Sequence, residues 1–193
     1  MRNLLKKATK NNIKIINNVE VTNLNDGNKV EIQLNNAFVF KAKKVFIATN
    51  GFAKRFLEED LQPARAQVII TNKIKNLNIK GTFHIDKGYY YFRNINNRIL
   101  IGGGRNLDFK TEETTEFGQT ELVQNKLEAL LKQTILPNVD FTIAHRWSGI
   151  MGIGSQKKVI VKQIAPNIYC GVRLGGMGIA IGSLIGIELA RKH

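Results

Sequence analysis

The sequence predicts an α+β fold, or an α/β fold that carries an inserted antiparallel lobe. Two patterns indicate it. Short apolar runs separated by turn signals occupy much of residues 13–42 and 64–103, which is typical of antiparallel strands. The run KVFIAT at 44–49 is instead almost continuously apolar, as expected for a strand buried on both faces of a parallel sheet.

The first elements predicted are a short helix and a β-meander. Leu4, Leu5 and Ala8 fall on one face of a helix over residues 2–10. Asp26-Gly27 is a hairpin signal between two of the apolar runs. We therefore expect strands, of which the last three form the meander, at 13–16, 19–24, 29–34 and 38–42.

The middle of the chain predicts a second antiparallel sheet followed by a helix. In GYYYFRNI, alternation along a strand puts Tyr89 and Tyr91 on one face and Tyr90 and Phe92 on the other. Helical spacing of leucines predicts a helix within 117–135. The acidic residues before it resemble a solvated helix entrance, and these are Glu112, Glu113 and Glu116.

The C-terminal stretch GVRLGGMGIAIG, at 171–182, follows an apolar strand and opens a helix. A helix N-terminus has unpaired amide groups and a partial positive charge, and glycine lets a ligand approach them. We therefore interpret Gly175 and Gly176 as ligand-facing. Gly178, Gly182 and Gly186 lie four residues apart, which favours close helix packing.

Composition restricts the class of protein and its compartment. The chain has 193 residues, 43% hydrophobic and 23% charged, as in a globular protein with a core. One cysteine and three histidines exclude a disulfide framework and a zinc-type cluster, so no metal is expected. No run resembles a signal peptide or a membrane span, and we expect a cytoplasmic protein. Trp147 and Cys170 are expected in the core.

The net charge of +14 raises the alternative of a nucleic-acid-binding protein. The basic residues are spread along the chain, however, and the densest cluster is KAKK at 41–44. No basic stripe is interleaved with aromatic residues. We therefore expect no specific nucleic-acid partner. A Lys-, Asn- and Ile-rich composition explains the charge, and a second explanation is a piece of a larger protein whose missing part balances it.

The order of these stretches resembles the D-amino-acid oxidase/glycine oxidase (DAO) family of FAD-dependent oxidoreductases. The stretches that carry the resemblance are VFIATNGFA, QPARAQVIIT, NRILIGGGR, RWSGIMG and NIYCGVRLGGMGIAIGSLIGIELA. The resemblance implies an α/β FAD-binding remnant, residues 1–51 and 155–193. An antiparallel-sheet substrate domain, residues 52–154, is inserted into it.

The resemblance also implies which residues bind FAD, held without a covalent bond. The cofactor-binding residues implied are Val21, Ala48, Thr49, Asn50, Gly51, Arg173, Gly175, Gly176, Met177 and Gly178. The substrate would be a small amine or amino acid. Its expected binding residues are Tyr89, Tyr91, Arg93 and Arg146.

Two departures from the family pattern matter. The family opens with a G-x-G-x-x-G turn for the FAD phosphates, and this sequence has none. We therefore expect that a preceding segment is missing, and that this chain alone binds FAD poorly and is inactive.

Relatives also place a carboxylate-binding arginine where this sequence has Met151 or Gly176. Four arginines remain as substitutes, namely Arg93, Arg105, Arg146 and Arg173.

The activity implied by the resemblance is oxidation of an amine or amino acid by hydride transfer to flavin. No dedicated catalytic base is identified, and none is required when a neutral amine donates hydride. The alternatives are a non-catalytic binding module that retains the fold, or the basic nucleic-acid-binding protein. The sequence leaves the oligomeric state, the electron acceptor and the particular amine open.

Overall fold

The structure is a computed structural model, and it describes residues 2–192. The chain divides into two compact units. The first contains the residues up to Phe46 together with Gln163–Tyr169. The second contains Ile47–Lys162 and the residues from Cys170 onward. These boundaries are not those predicted from the sequence, where residues 52–154 form the inserted domain, and that division stays a prediction.

The first unit contains helix α1 (Arg2–Lys10) and the predicted meander. Its antiparallel strands have the order β1-β2-β3, and their ranges are Val21–Asn25, Val30–Leu34 and Val39–Ala42. The strand predicted at 13–16 is wrong: this segment forms no strand, and Ile13 and Ile16 are 57% and 58% exposed. Isoleucine favours strands only where a neighbouring strand and a packed face are present.

A second three-stranded sheet has the order β10-β11-β4. Its strands are β4 (Val45–Ile47), β10 (Ile160–Ala165) and β11 (Ile168–Val172), and every residue of β11 is buried. Burial of β4 on both faces is wrong, because Phe46 is 41% exposed although its ring stacks on Tyr169 at 5.4 Å. An apolar run shows only that a strand could be buried on both faces. Actual burial also requires packed elements on both sides of the sheet.

The second unit contains a five-stranded sheet in which all described pairs are antiparallel, as predicted. Its order is β6-β7-β8-β5-β9. The ranges are β5 Gln62–Thr71, β6 Thr82–Ile85, β7 Tyr90–Ile95, β8 Arg98–Gly103 and β9 Ile143–Ile153. The predicted helix is also present as α2 (Glu121–Leu130), which continues into a π-helical turn, Leu131–Ile135.

Strand register assigns the side chains of this sheet to two faces. One row across the strands contains Tyr91, Gly102, Val68 and Trp147. The next row contains Phe92, Ile101, Ile69 and Arg146, and therefore projects to the opposite face. Helix α2 packs on the second row through Val123 and Leu127, forming the core of the unit. We call that side the helix face and the side of Tyr91 the aromatic face.

Two packing expectations fail in the second unit. Trp147 is 40% exposed on the aromatic face and is not a core residue. Helix α3 (Gly178–Ala190) begins after β11 as predicted, and Ile185 packs near Gly171. A Cβ added at Gly182 or Gly186, however, would contact nothing within 4 Å among the described residues. Close helix packing at these two glycines is therefore wrong for this part of the chain.

Candidate functional site

Two turns from distant parts of the sequence meet at the end of strand β9. The Asn50 side-chain oxygen accepts a hydrogen bond of 3.1 Å from the backbone amide of Leu174, a residue 124 positions later. The amide of Gly175 donates to the carbonyl of Gly152 on β9 at 3.0 Å. The turn at Asn50 and the turn at Gly175 are thus held by the protein's own hydrogen bonds, both beside Gly152.

The backbone packs so closely at this junction that two glycines are required. A Cβ at Gly51 would lie 2.4 Å from the carbonyl oxygen of Met151. A Cβ at Gly152 would lie 2.6 Å from the side-chain oxygen of Asn50, which itself has a left-handed φ of 52°. Internal packing therefore explains Gly51, which the sequence had assigned to cofactor binding.

The glycines of the second turn are less crowded than Gly51 and Gly152. Gly175 and Gly176 have φ values of 55° and 83°, and both are exposed. Among residues 2–192, a Cβ at Gly175 would contact nothing within 4 Å, and one at Gly176 would contact only the Met151 sulfur at 3.3 Å. The turn leads directly into α3, whose N-cap residue Met177 makes no side-chain capping bond. Open backbone and uncapped helix amides therefore lie together.

The remaining cofactor candidates are divided between the two units. Ala48 and Thr49 are exposed just before the Asn50 turn, and Gly178 is the first residue of α3. Val21 lies in β1 of the first unit, whereas all the other candidates belong to the second unit. Their roles in binding a cofactor stay predictions.

Arg173 is held by protein partners. Its Nη1 lies 2.9 Å from the Asp60 carboxylate, and its Nε donates to the carbonyl of Lys158 at 2.6 Å. Hydrogen bonds from Ser155, together with the charge of Arg173, hold the pKa of Asp60 below its ordinary value, although desolvation raises it. The guanidinium of Arg173 thus anchors the segment before the glycine turn.

Tyr91 lies on the aromatic face, directly over Gly102. A Cβ at Gly102 would be 2.5 Å from the Tyr91 hydroxyl, so glycine makes room for the ring. Burial raises the pKa of the Tyr91 hydroxyl. The predicted alternation is confirmed for Tyr90 and Phe92, which face α2 while Tyr91 does not. Tyr89 precedes β7 in a helical conformation and is 43% exposed.

The two arginines predicted to bind substrate lie on opposite faces. Arg93 follows Tyr91 by two residues on the aromatic face, is exposed, and donates from Nε to the Asn94 carbonyl. Arg146 lies on the helix face, where its guanidinium donates to Gln124 and Glu128, both at 2.6 Å. The structure therefore brings Tyr91 and Arg93 to one face and places Arg146 on the other.

A buried polar network was missed by the sequence analysis. Glu112 is 1% exposed, so its expected role as a solvated helix entrance is wrong. It accepts hydrogen bonds from Arg65 at 2.9 Å, from Gln67 at 2.8 Å and from the Thr120 hydroxyl at 3.0 Å. The available signal was the pair of polar residues, Arg65 and Gln67, at alternate positions of an otherwise apolar strand.

Neither a metal cluster nor a membrane-spanning helix is found among the described residues. Within residues 2–192, no group of three or more His, Cys, Asp or Glu side chains is arranged to hold a metal ion. None of the helices in that part of the chain combines the length and apolarity required to cross a bilayer.

Comparison with known proteins supports the family resemblance. The model of the DAO family, described as FAD dependent oxidoreductase, matches residues 1–192. A comparison with curated proteins finds no match. Solved structures do match, at identities that support the fold alone.

Three of these structures illustrate the similarity. L-proline dehydrogenase from P. horikoshii has a TM-score of 0.75 at 19% identity, covering 96% of this chain and 52% of its own. Iminodiacetate oxidase from Chelativorans sp. BNC1 has a TM-score of 0.76 at 18% identity, with the same coverage of 96% and 52%. Glycine oxidase from Geobacillus kaustophilus has a TM-score of 0.73 at 17% identity, covering 90% and 47%.

The chain therefore spans about half the length of these structures. Nearly all of the chain is matched, both by the family model and by the folds. The chain belongs to the DAO family of FAD-dependent oxidoreductases.

Proposed function

We propose that this chain is the portion of an FAD-dependent oxidoreductase that oxidises an amine or amino acid by hydride transfer to a non-covalently bound flavin. The observation that carries the proposal is the junction of the Asn50 and Gly175 turns beside Gly152. Because of this junction, the two turns that contain predicted cofactor residues of the second unit lie together at one end of the five-stranded sheet.

The residues at this junction fit a flavin. The exposed backbone of Gly175 and Gly176 has open space where side chains would otherwise stand, so a planar ring can approach it. The uncapped N-terminus of α3 offers amide donors and a partial positive charge to ring oxygens that become negative on reduction. The only cysteine, Cys170, is 0% exposed within β11, which favours non-covalent binding.

When bound, FAD would supply the acceptor for the hydride that leaves the substrate α-carbon. The protein's part is to position the substrate and to exclude water. On the aromatic face, Tyr91 offers a partly buried ring and hydroxyl to the substrate. The neutral amine loses its hydride and a proton to give an imine, which water then hydrolyses, so no protein base is required.

The substrates named for the similar proteins support this proposal. Proline, iminodiacetate and glycine are amines that also carry a carboxylate. An amino acid is therefore the substrate class that we propose first, and a simple amine is the second.

The test is anaerobic reduction of flavin by a panel of amino acids and amines. It uses the longest polypeptide that the gene encodes, reconstituted with FAD. We expect bleaching of the flavin absorbance by at least one member of the panel. No bleaching by any amine or amino acid would contradict the proposed activity.

A matched pair of glycine variants tests the location of the flavin. Gly176→Ala adds a methyl group at the proposed ring contact, where φ is 83°. Gly182→Ala adds the same group within α3, where it meets none of the described residues within 4 Å. We expect weaker FAD binding for the first and unchanged binding for the second, measured by quenching of flavin fluorescence. Equal affinities in the two variants would place the flavin elsewhere.

We also propose that residues 1–193 alone bind FAD weakly, because the sequence contains no G-x-G-x-x-G turn for the phosphates. Titration of this chain with FAD checks the point. Stoichiometric flavin retained through purification of the 193-residue chain would contradict it.

A further inference from the structure

The structure distinguishes among the four arginines that the sequence offers for a substrate carboxylate. Arg146 is already held by a glutamine and a glutamate of α2 on the helix face. Arg173 is already paired with Asp60 and with a backbone carbonyl. Each guanidinium is already paired with a carboxylate, so a substrate carboxylate would have to compete with Glu128 or Asp60 for it.

Within the part of the chain that the structure describes, Arg93 has no carboxylate partner, but it lies far from the glycine turn. Register places it in the row of Leu100, Ile70 and His145. His145 precedes Met151 by six positions on β9, which corresponds to about 20 Å along a strand. The sulfur of Met151 lies 3.3 Å from the position that a Cβ of Gly176 would occupy, which places Met151 beside the glycine turn. Arg93 is therefore at the wrong end of the strands to position a small substrate there.

Arg105 lies nearer to that end. Gly103, the last residue of β8, is in the row of Gln67 and Ser148. Ser148 is three positions from Met151, or about 10 Å along β9. Strands β8 and β9 are separated by β5 alone, so about 10 Å separates them across the sheet. Arg105 then begins a short 3-10 turn, Arg105–Leu107, beyond the end of β8.

The Arg105 side chain lies against an aromatic ring. Its guanidinium carbon is 4.6 Å from the centre of the Phe109 ring, and the rings of Phe109 and Tyr89 form a T-shaped pair with centres 6.3 Å apart. An aromatic ring attracts the guanidinium cation, but it does not accept the two parallel N–H hydrogen bonds that a carboxylate accepts. Among residues 2–192, no hydrogen bond or ion pair occupies these donors.

The charges around Arg105 do not neutralise it. Desolvation lowers the pKa of the guanidinium, while Tyr89, Glu113 and Glu112 act in the opposite direction. Glu112 is already bound by Arg65, and Glu113 is an exposed residue beyond ion-pair distance. Arg105 is thus a partly desolvated cation that forms none of the ion pairs among residues 2–192.

We propose that Arg105 binds the carboxylate of the substrate, with the apolar part of the substrate against Tyr89 and Phe109. This inference rests on the proposed function and narrows its substrate class to amino acids. A guanidinium binds a carboxylate through two parallel hydrogen bonds, which fixes orientation as well as charge. Arg105 would thus supply the positive charge that Met151 and Gly176, which flank the proposed flavin contact, cannot supply.

The first test measures carboxylate binding without flavin. Propionate is added to the 193-residue chain, and the Nε–Hε signals of its arginines are followed by NMR. We expect a saturable shift of the Arg105 signal with propionate and none with neutral propionamide. Arg105→Gln should weaken propionate binding about tenfold or more, which is the loss expected for a charge-assisted pair.

The control is Lys110→Gln, which removes a neighbouring positive charge but leaves the guanidinium and Phe109 in place. We expect its propionate affinity to remain within about twofold of the original, since exposed charges interact weakly. Unchanged affinity in Arg105→Gln would overturn the proposal. So would the absence of saturable propionate binding by the unsubstituted chain, at concentrations up to about 0.1 M.

The second test separates this proposal from the proposed function. In the flavin-loaded longest polypeptide, Arg105→Gln should raise KM for an amino acid much more than for the amine that lacks only the carboxylate. If no compound reduces the flavin, the proposed function fails while the propionate result stands by itself. If both compounds are affected equally, Arg105 does not bind the carboxylate and the oxidation proposal is untouched.

Discussion

Arg65 and Glu112 show how a single pair of residues can stabilise the sheet that carries the site. The two side chains form two hydrogen bonds, Nε to Oε2 at 2.9 Å and Nη2 to Oε1 at 3.1 Å. Both residues are buried, at 8% and 1% exposed. Removing one partner of such a pair leaves the other charge buried and uncompensated, which costs far more than the pair contributes.

Glu112→Gln should therefore lower the free energy of unfolding by about 3–5 kcal/mol, as found when one member of a buried pair is removed. The substitution preserves size and removes only the charge. Urea unfolding followed by tryptophan fluorescence measures the change. Glu113→Gln is the matched control, and because Glu113 is exposed its effect should stay within about 0.5 kcal/mol.

The same carboxylate gives a prediction for pH. Burial raises the pKa of Glu112, but hydrogen bonds from Arg65, Gln67 and Thr120 outweigh burial and hold it below its ordinary value of 4.5. A lowered pKa means that the stabilisation is present above about pH 4.5 and is lost as the pH falls below it. The stability of Glu112→Gln should consequently depend less on pH in this range, and parallel curves would contradict the prediction.

Asn50 is the second residue with a specific expected effect, because it joins two turns and adopts a left-handed φ of 52°. Asn50→Ala loses the hydrogen bond to Leu174 and strains the backbone, which should cost about 1–3 kcal/mol. Asn50→Gly loses only the hydrogen bond and should cost about 0.5–1.5 kcal/mol. The difference between the two, measured by urea unfolding, isolates the backbone strain. Equal values would show that φ contributes nothing.

Among the elements, α3 is unusual because its sequence is apolar on every side. A helix of this kind is normally buried all round. Among the residues of α3, only Ile185 and Leu189 are buried, and Ile179, Leu184 and Ile187 are 90%, 64% and 52% exposed. The part of α3 that stabilises the described chain is therefore a narrow stripe formed by Ile185 and Leu189.

Two alanine variants of α3 test this assignment. Ile185→Ala should cost about 2–5 kcal/mol, since it opens a cavity beside Gly171. Ile179→Ala should change stability by no more than about 0.5 kcal/mol, because its side chain is 90% exposed. Chemical denaturation of both variants provides the comparison. A large loss for Ile179→Ala would mean that another surface covers it in solution.

The whole molecule carries a net charge of +14 and no concentrated basic stripe. We expect weak binding to DNA that is independent of base sequence and falls steeply with salt, because counterion release alone drives it. Fluorescence anisotropy with two unrelated duplexes, between about 50 and 200 mM salt, measures both properties. A sequence preference that persists at the higher salt would restore the nucleic-acid-binding alternative.

Local signals account for the parts of the fold that the sequence predicted well. The meander follows from turn residues such as Asp26-Gly27, where the backbone amide of Gly27 donates to the Asp26 carboxylate at 2.9 Å. Helix α2 and the alternating faces of Tyr90 and Tyr91 follow from periodicity. The strand expected at 13–16 failed because β propensity alone provides no pairing partner.

By itself, the sequence determined the family, the antiparallel lobe and the glycine-rich turn before α3, since turns, periodicity and motif order are encoded in neighbouring residues. Only the tertiary structure decided that Glu112 pairs with Arg65, 47 residues away, or that Asn50 holds Leu174, 124 residues away. It also decided which arginines have partners. The physical reason is that burial and pairing depend on contacts between distant segments, and these form only when the strands come into register.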